Sequence, residues 1–201
     1  MAKSTKFNAA LIAVSALFAA LIVGGKEALA VLPNVEIVTL LVALCAYVWG
    51  AIVVFPAVNV FIVVDMAIWG VNTWIISYLI HWNIVALAFC LLGKVCFKRK
   101  WSEILVATLT ATVMTTLFGV LTSAVDTLVG FTGKGFFLDS DDFFRRFAVM
   151  YVAGGSFYVT QIVCNIVLFA TAFLPLVALN RKARLRILPN DEQPNDEQTS
   201  K

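Results

Sequence analysis

The chain has 201 residues, 61% of them hydrophobic and only 13% charged, and its mean hydropathy is +0.93. A soluble domain of this composition would expose a large apolar surface, so a sizeable soluble catalytic or nucleic-acid-binding domain is excluded and a polytopic membrane protein is left, with room for about six spans of roughly 20 residues. The net charge of +3 says less than the positions of Lys and Arg, which set orientation where they flank the spans.

Lys3 and Lys6 precede a first apolar run, Phe7 to Val23, that Gly24-Gly25-Lys26-Glu27 ends. A basic start, an apolar stretch and Ala28-Leu29-Ala30 also fit a secretory signal with an A-x-A cleavage site. The run is read as a retained span because Ala9, Ala13, Ala16 and Ala20 fall along one helix face, where small side chains let another helix approach closely. Packing within the chain is the plainer account of the same stripe.

Leu32-Pro33-Asn34-Val35-Glu36-Ile37-Val38-Thr39 then sets polar groups where an apolar run resumes. A charge at a helix centre costs roughly 2.5–3.5 kcal/mol on the lenient insertion scale, so Asn34 and Glu36 are expected at the water interface and facing a polar cavity. Glu36 to Val54 forms the second span and Pro56 breaks the path. Ala57 to Trp69 forms the third, with Asp65 about 12 Å from its start at the helical rise. An intramembrane carboxylate is a functional candidate; a pair with Lys26 inside the bundle is the structural alternative.

Asn72 lies in the following interruption, Gly70 to Thr73, and Trp74 opens a fourth span that Ile84 to Val95 completes. Trp69, Trp74, Tyr78 and Trp82 fit an interfacial aromatic belt. Their crowding beside Asn72, Asn83 and the single histidine, His81, equally describes the wall of a ligand pocket. After a basic connection (Lys94, Lys98, Arg99, Lys100) the fifth span runs from about Glu103 to Val125 and is rich in Thr, including Thr108, Thr112 and Thr115; such hydroxyls bond back to their own helix and carry little information. Asp126 closes it. Gly130 to Arg146 is expected to be a lid or a short interfacial helix.

The last run, Phe147 to Leu179, is longer than one span needs. Along it Tyr151, Gly154, Tyr158, Gln161 and Asn165 recur every three or four residues, so one helix face carries the polar groups and must turn inward, since lipid would leave the amides unsatisfied. Arg181, Lys182, Arg184 and Arg186 follow. The tail then repeats Pro-Asn-Asp-Glu-Gln at 189–193 and 194–198 and is expected to be disordered. Cys45, Cys90, Cys96 and Cys164 show no disulfide or zinc spacing, and no metal or cofactor is expected.

These elements predict an all-α fold: a six-transmembrane-helix bundle over residues 1–186 with both termini cytoplasmic, and a polar tail over 187–201. The inner segments then hold Lys3, Lys6, Lys94, Lys98, Arg99, Lys100 and the cluster from Arg181 to Arg186, while the outer ones keep Lys26, Lys134, Arg145 and Arg146 against Glu27, Asp126, Asp139, Asp141 and Asp142. That is the positive-inside asymmetry. It brings Asn34, Glu36, Asn72, Trp74 and Asp126 to one outer mouth, with Asp65, Tyr78, Tyr151, Tyr158, Gln161 and Asn165 as further candidate ligand residues.

The Pro33-Asn34-Val35-Glu36 entry into the second span, the alanine stripe on the first helix and the Trp-rich third connection leading to Gly93 and a basic loop resemble the substrate-binding S components of energy-coupling factor (ECF) transporters over about residues 7–180. Ile37, where proline is more usual, and the absence of a glycine-rich turn at residues 51–56 depart from that pattern. The resemblance implies a non-enzymatic subunit of a prokaryotic plasma membrane that captures a vitamin or cofactor precursor from outside and delivers it with a separate coupling subunit and an ATPase pair. It implies that Ala9, Ala13, Ala16 and Ala20 dock the coupling subunit. It also implies that Trp74, Tyr78, Tyr151 and Tyr158 stack on a ring, that Asn34, Glu36, Gln161 and Asn165 hydrogen-bond it, and that a loop around Gly130–Gly135 closes over it. The chain has no G-x-x-x-x-G-K-[ST] loop, so ATP dependence would come from partners. A self-sufficient secondary transporter or a ligand-free assembly protein is the alternative, and Ser156 with His81 is the minimum for a serine–histidine dyad with no motif around it.

Overall fold

The computed structural model describes residues 9–32, 35–129 and 140–188. They form α1 (Ala9–Ala28), α2 (Val38–Trp49), α3 (Ala51–Trp69), α4 (Trp74–Leu92), α5 (Lys100–Val129), α6 (Ser140–Thr171) and α7 (Phe173–Ile187), with no strand among the described residues. Within α1, α3, α4, α5 and α6 lie segments long and apolar enough to cross a membrane, and α2 is a shorter apolar helix. The chain is a helical membrane bundle.

The centre of the bundle is α2. Every α2 side chain except Leu41 is buried, and the helix packs against α1, α3, α4, α6 and α7. At 1.5 Å per residue it is about 18 Å long, well short of the roughly 30 Å hydrocarbon core. Such a short helix is tolerated because its ends meet protein rather than lipid. Leu17, Leu87, Leu109 and Val163 of the surrounding helices point outward, as side chains of a bilayer-embedded bundle do.

Two expected boundaries move. The second span ends at Trp49 rather than Val54, and the break falls at Gly50, not Pro56. Gly50 has φ 77° and ψ −174°, a region essentially reserved for glycine, so the chain turns there within one residue and Pro56 lies inside α3. Because α3 starts at Ala51, Asp65 lies four residues before its far end at Trp69, about 6 Å along the axis, and not 12 Å beyond its start. The final run is also two helices. Pro175 cannot donate to the carbonyl of residue 171 and its ring crowds that group, so α6 stops at Thr171 and α7 begins after Ala172, with Pro175 in the first turn.

Of the stretch expected to form a lid or interfacial helix, Ser140–Arg146 opens α6, while Gly130–Asp139, including the Gly130–Gly135 lid, lies outside the described residues. So do residues 1–8, Pro33 and Asn34, and the repeated tail from 189 onward.

Candidate ligand cavity

One end of the bundle gathers Lys26, Glu36, Asp65, Thr73 and Asp126. Lys26 in the last turn of α1 forms an ion pair with Asp65 near the end of α3, Thr73 before α4 donates to Asp126 of α5 at 2.5 Å, and Glu36 before α2 bonds to α6. Glu36 is the hub. Its Oε1 accepts from Thr39 Oγ1 at 2.5 Å, from Gln161 Nε2 at 3.2 Å and from Asn165 Nδ2 at 3.0 Å, and its Oε2 accepts from the Thr39 backbone N–H at 3.3 Å. Asn165 Nδ2 also reaches Thr115 Oγ1 of α5 at 2.9 Å, and the Cys164 thiol meets the Glu36 carbonyl at 3.5 Å. The Glu36 carboxylate thereby ties the α1–α2 connection to α6, and Asn165 carries the link on to α5.

Beneath that connection is a cavity of about 170 Å³. Leu29, Ala30, Leu32, Val35 and Val38 come from the connection and the start of α2, Tyr78 and Trp82 from α4, Phe118 from α5, and Lys26, Glu36 and Gln161 supply the polar lining. Tyr78 and Trp82 are one helical turn apart, which puts both rings on the same face of α4. Tyr78 packs on Trp82 at 5.7 Å and on Phe118 at 6.0 Å between ring centroids.

Two polar atoms of lining residues are buried with no hydrogen-bond partner among the described residues: Gln161 Oε1 and Trp82 Nε1. Buried polar groups are ordinarily bonded, and Asp65 Oδ2, Ser77 Oγ, Thr108 Oγ1 and Asn165 Oδ1 likewise lack a partner among the described residues. Lys26 is already engaged. Besides Asp65 it lies 3.8 Å from Glu27 and within 5.5, 5.9 and 6.0 Å of the ring centroids of Trp69, Trp74 and Tyr78.

The expected ligand residues therefore divide. Glu36, Tyr78 and Gln161 line the cavity, and Asn165, fully buried, holds Glu36 from behind. Asp65, 1% exposed, is the buried partner of Lys26, and Trp74 packs on Tyr78 at 4.9 Å. These two support the wall without lining it. Asn72 is exposed and caps its own turn by accepting from the Thr73 backbone N–H at 2.6 Å, and Asp126 accepts from Thr73; neither lines the cavity.

Tyr151 and Tyr158 are not among the lining residues either. They belong to a ladder of rings along α6 running from Phe147 through Tyr151 to Tyr158. The Tyr158 ring fits a niche at Gly119 and Gly154, where an added Cβ on Gly154 would stand 2.5 Å from it, and its hydroxyl lies 3.2 Å from Ser123 Oγ. Asn34 is outside the described residues.

Lys26, Phe118, Thr39 and Thr115 join the site without having been expected there, and Trp82, read from sequence as either belt or pocket wall, lines the cavity. Trp82 carries a readable signal, one turn beyond Tyr78. Thr115 carries none, because its hydroxyl bonds to the Ala111 carbonyl as several other α5 threonines bond to theirs. Ala9, Ala13, Ala16 and Ala20 are exposed along α1, and Gly24, with open space beside it, extends their line. The stripe therefore does not serve packing among the described helices. No group of His, Cys, Asp and Glu able to hold a metal ion occurs among the described residues. Comparison with protein-family models, curated proteins and solved structures returned no match.

Proposed function

We propose that the chain is a membrane-embedded substrate-binding subunit of the ECF type, which captures a small molecule at the Glu36 end of the bundle, facing outward, and hands it on with a separate coupling subunit and an ATPase pair in a prokaryotic plasma membrane. The observation that carries this reading is the cavity under the α1–α2 connection. It has the aromatic walls and few convergent polar groups of a ligand site. Six passes with both ends inside agree with the positive-inside distribution of Lys and Arg. The outward alanine stripe on α1 supports a docking role, because small residues on a lipid-facing helix serve close approach by another membrane helix.

The test separates capture from uptake. The purified chain alone is expected to bind its ligand without nucleotide, whereas uptake in cells requires the coupling subunit and the ATPases. Uptake that persists in cells deleted for every such ATPase would overturn the reading in favour of a self-sufficient carrier.

A further inference from the structure

Among the described residues, Glu36 is the charge in the cavity lining that no cation balances. Its Oε1 accepts three hydrogen bonds, all from neutral groups, and its Oε2 accepts only the longer one from the Thr39 backbone. Lys26 does not serve Glu36, since Asp65 and Glu27 already face it. A half-buried carboxylate is favoured by a positive charge or strong donors that compensate its lost hydration. Aromatic rings such as Tyr78, Trp82 and Phe118 favour both planar rings and cations. The volume has room for one ring: about 170 Å³ is close to the roughly 150 Å³ of an engineered apolar cavity that takes benzene.

We propose that the cavity binds a small organic cation, a single ring bearing an ammonium or amidinium group that donates to Glu36 Oε2 while the ring packs against Tyr78, Trp82 and Phe118. The inference rests on the reading of the chain as a binding subunit and names the chemistry of its ligand.

Benzylammonium, benzyl alcohol and benzoate share a shape and differ in charge, so titrating each into the full-length protein by calorimetry tests the proposal. A charged hydrogen bond in a half-buried site is worth enough to favour benzylammonium over benzyl alcohol by about tenfold, and benzoate is expected not to bind. Glu36→Gln should bring the cation and the alcohol to near parity. Gln161→Leu, which removes one neutral donor to Glu36 Oε1 and leaves the carboxylate, should keep the preference for the cation over the alcohol. Should neither variant fold, the three wild-type titrations decide alone. Alcohol or benzoate binding as tightly as the cation overturns the cationic class while leaving a binding subunit in place. Absence of saturable benzylammonium binding also overturns it, and the capture reading then stands or falls on whether the protein carries any other small molecule.

Discussion

Lys26 and Asp65 show how one residue's surroundings decide its role. With Asp65 1% exposed and one carboxylate oxygen on Lys26, Lys26→Met leaves a buried charge unpaired and is expected to cost about 3 kcal/mol, read as a lower melting temperature in detergent. Adding Asp65→Asn should recover part of that loss; a double variant less stable than Lys26→Met would show that the pair is not the stabilising contact. Tyr158 is a packing residue in the same sense. Tyr158→Phe removes only the hydroxyl contacts to Ser123 and Thr122, about 1 kcal/mol. Tyr158→Ala opens the niche against Gly119 and Gly154 and should cost about 3–5 kcal/mol, with ligand affinity unchanged in the protein that remains folded. Glu36, Gln161 and Asn165 are legible in the sequence because amides and a carboxylate in apolar runs must find one another. The tyrosines are not told apart that way, since a ring serves equally as ligand wall or as filler.

At the scale of elements, breaks are set by backbone geometry that hydropathy does not register. Both Gly50 and Pro56 are breakers in an apolar run, and only the positive φ of Gly50 decides which one turns the chain. Gly50→Ala is expected to destabilise the α2–α3 connection by about 1–3 kcal/mol, whereas Pro56→Ala should be neutral or stabilising because it restores a helical donor; thermal melts of the two variants check the contrast. The five long apolar helices are legible from hydropathy and length. The division of the last run at Ala172 is legible only through Pro175, and the burial of α2 on nearly all sides shows in its lack of any charged residue over Val38–Trp49.

On the proposed reading the whole molecule has two functional faces: the cavity end and the outer surface of α1. If the alanine stripe docks a coupling subunit, Ala16→Leu should abolish uptake in cells while leaving ligand affinity of the purified protein unchanged, since Ala16 is exposed and far along α1 from Lys26. Loss of both together would place the stripe inside the fold's own packing. The central claim is that the cavity under Glu36 captures a small molecule, and mass spectrometry of compounds released from gently solubilised, purified protein tests it most directly. The account predicts one compound released in stoichiometric amount by the wild type and lost from Glu36→Gln protein that is still folded. Wild-type protein that carries nothing and binds nothing from a metabolite extract, or a compound retained equally by the variant, would contradict it.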